Sequence, residues 1–227
     1  MRLSVVVCCL TLAACGGGGG PAFDVPKLTR SAPESVSVAQ GDVVIAGPPG
    51  YCIDKRSSRL RGATPFVLLA GCSSVTGSAE AGQPSTPGLL TASVDQRKGN
   101  PPSTESLSAF LKTDTGRASL AKDGRASSVE ILDSNIVNGA LLLRIRDRGG
   151  GGSPGLDPTY WRGLFILNSR LVTITATAFE ARPIGSATLK GKLVAFMRRI
   201  QEETPAAPPG RAPEARPLQG LFQRFSR

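Results

Sequence analysis

The sequence predicts an α+β domain, an antiparallel sheet built largely from hairpins and covered by two amphipathic helices. Three observations carry this. Asn138-Gly139 joins two apolar-rich runs, Val129–Leu132 and Ala140–Arg146. In a type I′ hairpin turn both central residues need positive φ, which this pair tolerates best. Tyr160–Leu167 and Leu171–Phe179 form a second such pair, turning at Asn168-Ser169-Arg170. Finally, Leu189, Leu193, Phe196, Met197 and Ile200 recur at helical spacing opposite Lys190, Lys192, Arg198 and Arg199, a one-sided helix. Hairpins in series demand antiparallel pairing, and helices with one apolar face each must cover the sheet.

The earlier elements follow in order. Ser35–Val38 alternates with period two, and Asp42–Ile45 follows after Gly41, so both are expected strands. Gly47-Pro48-Pro49-Gly50 is a turn, because proline sets φ and glycine accepts unusual dihedrals. It is not a phosphate-cradling loop, which needs a lysine and a helix start after its glycines. Phe66–Leu69 and Leu89–Val94 are short apolar strands, and Ser73–Pro87 between them has the composition of a loop. Ser103 is an expected N-cap, with Glu105 in the first turn. The helix runs from Thr104 to about Ala121, with Gly116 as the candidate break.

The N-terminus predicts a compartment. Arg2 precedes an apolar run from Leu3 to Ala14, roughly 12 residues and too short for about 30 Å of hydrocarbon. A charged start, apolar middle and small-residue end make a removable secretory signal. Leu12-Ala13-Ala14-Cys15 resembles the lipobox of bacterial lipoproteins. That resemblance implies cleavage before Cys15 and acylation of its sulfur and amine; two or more acyl chains anchor stably. Gly16–Gly20 suits a flexible spacer. Gly16 in place of Asp favours the outer over the inner membrane under the enteric sorting rule. The expected organisation is residues 1–14 signal, 15–34 lipidated cysteine and flexible Gly/Pro linker, 35–203 one α+β domain, and 204–227 a disordered Pro/Arg-rich tail with a short amphipathic end. Within that tail Leu218, Leu221, Phe222 and Phe225 form one helical stripe, a candidate contact with anionic membrane or a partner groove.

Of five cysteines, Cys8 and Cys9 leave with the signal and Cys15 is the lipid site. Cys52 and Cys72 remain, an even pair in an oxidising compartment. A bridge closing a loop of about 20 residues is worth on the order of 3 kcal/mol. The alternative, a redox pair or metal site, lacks both C-x-x-C spacing and any histidine.

Composition narrows function. The chain has 227 residues, a net charge of +10 and 5% aromatic residues. An exported lipoprotein with dispersed arginines suits anionic lipid or an acidic protein better than nucleic acid, and a merely solvated basic surface is the simplest reading. Without histidine there is no Ser-His-Asp or Cys-His site. The carboxylates are scattered, with no EF-hand spacing. No catalytic, metal or cofactor site is expected. Arg144 and Arg146 share a strand face and Arg162 lies on the next strand. Together they make a candidate basic patch for an acidic partner, set against ordinary strand solubilisation. Tyr160 and Trp161 are expected packing residues, with a ligand platform as the alternative.

The element order resembles the PsbP-like sandwich over about residues 40–203; a ferredoxin-like or cystatin-like sheet is the alternative. A closer resemblance rests on Gly47-Pro48-Pro49-Gly50-Tyr51-Cys52-Ile53-Asp54, Phe66-Val67-Leu68-Leu69 before Cys72, Leu107-Ser108-Ala109-Phe110, and Leu167-Asn168-Ser169-Arg170-Leu171-Val172-Thr173. These are similar to small lipoproteins of Rhodobacter-type alphaproteobacteria. Nothing in the sequence supports a cation-transport ATPase, which needs a phosphorylated Asp in an Asp-Lys-Thr-Gly-Thr context; Thr113-Asp114-Thr115-Gly116-Arg117 is only a scrambled echo of it. The sequence therefore predicts a non-catalytic, periplasm-facing envelope lipoprotein, held to membrane lipid through Cys15 and binding an envelope protein. A small-ligand binder is the alternative and a hydrolase a third.

Overall fold

The computed structural model describes residues 31–96, 101–150 and 154–206. Cys15, the signal, most of the linker and the Leu218–Phe225 stripe lie outside these residues. Among the described residues no helix is long and apolar enough to cross a membrane.

Among the described residues the protein is α+β, with one large antiparallel sheet and four α-helices. In chain order the strands are β1 (Ser35–Val38), β2 (Val43–Ala46), β3 (Tyr51–Ile53), β4 (Phe66–Gly71), β5 (Leu89–Val94), β6 (Val129–Val137), β7 (Ala140–Asp147), β8 (Leu156–Leu167) and β9 (Arg170–Phe179). The helices are α1 (Cys72–Thr76), α2 (Thr104–Leu111), α3 (Asp114–Leu120) and α4 (Ser186–Glu203). The seven-stranded sheet has the order β3-β4-β5-β9-β8-β7-β6, and β1 pairs only with β2.

Each face of the sheet has its own core. On one face Val67, Leu90, Ile174, Ala176 and Trp161 meet Leu189, Leu193, Phe196, Met197 and Ile200 of α4, with Val43 and Ile45 of the β1–β2 hairpin alongside. Leu193, Phe196 and Ile200 are fully buried, as the helical spacing predicts. Trp161 packs as expected and donates its indole N–H to the Ser186 carbonyl at 3.1 Å. On the other face Leu111 and Leu120 of α2 and α3 cover Leu141, Leu143, Ile145 and Tyr160. Burying these apolar surfaces supplies the main favourable term of folding.

Several expectations are corrected. The expected single helix after Ser103 is two. Ser103 does cap α2, accepting from Ser106 N–H at 3.2 Å. The chain then breaks at Lys112-Thr113, and Thr113 caps α3 by accepting from Gly116 N–H at 3.1 Å. Gly116 is therefore not the break. A Cβ there would collide with the Phe110 carbonyl oxygen and lie 2.6 Å from Leu111 Cα, so glycine is what lets α2 and α3 touch. The sheet is accordingly covered by more than two helices, with the β1–β2 hairpin helping. Tyr51–Ile53 is a strand, and the start of the expected Ser73–Pro87 loop belongs to a short helix, Cys72–Thr76, ended by Gly77 at φ 75°. The second hairpin turns on two residues, Asn168 (φ 49°) and Ser169 (φ 61°), so Arg170 belongs to β9.

The expected domain edges also move. Pro33 accepts from Ile53 N–H at 2.8 Å and Glu34 from Gly47 N–H at 3.2 Å, so the linker is already held before Ser35. Thr204 is buried, and its hydroxyl oxygen accepts from Val44 N–H at 3.0 Å, so it belongs to the domain and not to the tail.

Asp123 fixes the turn between α3 and β6. It accepts from the Ser128 hydroxyl at 2.7 Å and from Arg125 backbone and side-chain N–H groups at 3.0 Å. These donors, Ser128 first, hold its carboxyl down at about 2, against an ordinary 3.8. A folded value below the unfolded one means the stabilisation is complete above about pH 4 and is lost as pH falls towards 2. Thermal melts of Asp123→Asn should lose less stability across that window than wild type; parallel loss would remove Asp123 from the acid response.

Candidate functional site

Period-two geometry decides the fate of the expected basic patch. Arg144 faces Trp161, Arg146 faces Thr159, and Arg162 faces Leu143. Arg144 and Arg146 therefore point to the α4 side of the sheet and Arg162 to the α2–α3 side. The three do not form one patch. Arg146 instead pairs with Glu130 at 3.2 Å, and Arg162 lies over the Tyr160 ring, 5.2 Å from its centroid. The register that separates them is not readable from strand composition.

The Cys52–Cys72 disulfide is present. Glu34 lies close enough to both sulfurs to suggest a metal cluster. The sulfurs are spent on each other, so no thiolate is left to bind a metal.

The bridge belongs to a larger construction at the Gly47–Cys52 turn. Tyr51 N–H donates to the Pro48 carbonyl at 3.1 Å, closing the turn, and Cys72 N–H donates to the Gly50 carbonyl at 2.9 Å. Gly50 has φ +84°, and a Cβ there would lie 2.6 Å from the Gln83 carbonyl carbon. Only glycine permits that backbone to lie against Gln83-Pro84. The Tyr51 hydroxyl donates to the Thr86 carbonyl at 3.4 Å. Turn, disulfide and the 82–86 segment thus form one braced wall.

Helix α4 supplies the facing wall. Between them runs an open groove of about 640 Å³, lined by Pro48, Pro49, Tyr51, Gln83, Thr188 and Lys192, with the small residues Gly191 and Ala195 on the helix side. Lys192 Nζ sits over the Tyr51 ring, 5.7 Å from its centroid. Desolvation lowers the Lys192 ammonium below the ordinary lysine value and pushes the Tyr51 phenol up to about 12. Among the described residues these two are the only ionisable side chains lining the groove. A second groove, of about 570 Å³ between α2–α3 and β6, carries both signs of charge, Lys112 and Arg117 with Glu130 and Asp133.

Sequence reading misses this site, because the helical pattern puts Lys192 on a solvated face and Tyr51 shows no strand period. The available signal is the Gly-Pro-Pro-Gly turn directly before a bridged cysteine. Arg170 is missed too. That guanidinium is 2% exposed. It grips Asp42 through Nε at 2.9 Å and Nη2 at 2.6 Å, and Nη1 reaches the carbonyls of Asp95 and Gln96. This is a structural clamp.

Compared with protein-family models, curated proteins and solved structures, the chain matches none.

Proposed function

We propose that the protein is a non-catalytic lipoprotein of the cell envelope, anchored through acylated Cys15 and facing the periplasm, whose domain binds an envelope protein. The observation that carries this reading is the Leu12–Cys15 lipobox with its Gly16–Gly20 spacer. The Cys52–Cys72 bridge supports it, since structural disulfides persist in oxidising compartments. The α4 face also favours a binding surface over an internal ligand chamber. Leu193, Phe196 and Ile200 close the sheet–helix interface completely, and the Tyr51–Lys192 groove lies outside it. A PsbP-like arrangement belongs to the same proposal, supported by the order of one strand, a helical segment, two hairpins and a final helix.

The anchor is tested by Cys15→Ser. The variant should take up no labelled fatty acid and should remain an uncleaved precursor. Normal acylation and maturation of the variant would overturn the lipoprotein reading.

A further inference from the structure

We infer that the groove between the Pro48–Tyr51 turn, the Gln83–Thr86 segment and α4 takes an extended, carboxylate-bearing peptide segment of a protein partner, with Lys192 binding the carboxylate. The inference deepens the binding role proposed above and is independent of the anchor.

Charge comes first. Lys192 is a half-buried cation with no ion pair or hydrogen bond among the described residues, only the face of Tyr51. Among the described residues no carboxylate lines the groove. A partly desolvated ammonium gains more from an arriving anion than a solvated one does, because less water is displaced from it and the local dielectric is lower. The other basic residues of known pairing differ: Arg146, Arg148 and Arg199 each already face a glutamate. The chain as a whole carries +10, so its field attracts an acidic partner.

Shape selects a peptide over a small free anion. A groove of about 640 Å³ holds far more than one acetate or phosphate group. Pro48, Pro49, Pro84, Gly191 and Ala195 offer apolar contact, and the prolines carry no N–H to compete with the lysine. The wall is fixed before binding by the disulfide and by the Gly50–Gln83 contact, so little ordering entropy is lost on association. Small residues on α4 leave room for a backbone to lie along the helix.

The test is an NMR titration of the full chain in detergent micelles, following the lysine 13Cε signals. The probe is acetyl-Ala-Pro-Glu-Pro-Ala-amide, beside the same peptide with Gln for Glu, sodium acetate, and phosphatidylglycerol added to the micelles. The Glu peptide should shift the Lys192 signal and raise its titration midpoint, with Tyr51 the only other ionisable group facing it among the described residues. The Gln peptide should bind at least tenfold more weakly. Lys192→Met should weaken the Glu peptide at least tenfold, whereas Lys190→Met, which removes the ammonium over Trp161, should leave it unchanged. Thr188→Glu keeps the helix intact and places an internal carboxylate four residues before Lys192, a favourable helical pair; it should block the peptide. Equal binding of the Gln peptide, an equal response to acetate or to phosphatidylglycerol alone, or unimpaired binding by Thr188→Glu would each overturn the inference. Peptide binding does not depend on acylation, so a Cys15→Ser failure and a groove failure are read separately.

Discussion

Arg170→Met should lower the unfolding free energy by about 2–4 kcal/mol, read from urea melts. Removing one partner of a fully buried ion pair costs roughly 3–5 kcal/mol, because the other charge is left in a poor environment. Asp42 keeps 23% of its side-chain surface in solvent, and water there offsets part of the loss. The substitution also leaves the Asp95 and Gln96 carbonyls without the guanidinium that serves both. Adding Asp42→Asn should cost less in the Arg170→Met background than in wild type, since the clamp is already gone. A change within about 0.5 kcal/mol, typical of surface substitutions, would mean that the clamp contributes no stability.

Gly116→Ala is the second large effect. In an exposed helix interior, glycine to alanine stabilises by roughly 1 kcal/mol. Here the new methyl would strike backbone atoms, the Phe110 carbonyl oxygen first and then Leu111 Cα at 2.6 Å. Backbone cannot rotate aside as a side chain can, so α2 and α3 must separate and Leu111 and Leu120 lose their fit over β7. Overpacking of this kind costs about 1–3 kcal/mol, occasionally more. Gly191→Ala is the matched control. It lies inside α4, with no atom within 4 Å of the added Cβ, and should stabilise by about 0.5–1 kcal/mol. Opposite signs from the same substitution would locate the helix contact; equal signs would refute it.

What can be read from the sequence is whatever depends on near neighbours in the chain. Asn138-Gly139 specifies its hairpin because positive φ at both positions is a local property, and both residues have it. The α4 stripe is legible because five apolar residues at helical spacing have no other use. The Cys52–Cys72 pair follows from counting. What escapes depends on partners distant in sequence. Strand β3 is three residues long and shows no period; pairing with β4 makes it a strand. Ser169 at positive φ contradicts its own preference. Asn168 holds that turn from outside, donating to the Asp42 carbonyl at 2.7 Å and the Pro205 carbonyl at 3.0 Å. Thr204 shares the composition of the tail, and its bonds to Val44, far away in sequence, make it part of the domain. The candidate groove joins residues 48–51, 82–86 and 188–195, and no local pattern announces such a meeting.

The strand order has a consequence for how the chain folds. Strands β3, β4 and β5 form one meander and β6, β7, β8 and β9 another, each closed by neighbours in sequence. A single seam, β5 against β9, joins them, pairing Leu89–Val94 with Val172–Thr177. About 80 residues separate the two sides, so this pairing carries the largest loop-closure entropy in the sheet. Each meander closes on near neighbours in the chain, whereas the seam requires a long loop to close. Arg170 stands at its end, bonded to Asp95 and Gln96 just beyond β5. It thus ties the two meanders together at the end of the seam, and a chain cut between residues 96 and 101 would divide into two pieces that meet along the β5–β9 pair, the packing of α4 on the β1–β2 hairpin and the Asp42–Arg170 clamp.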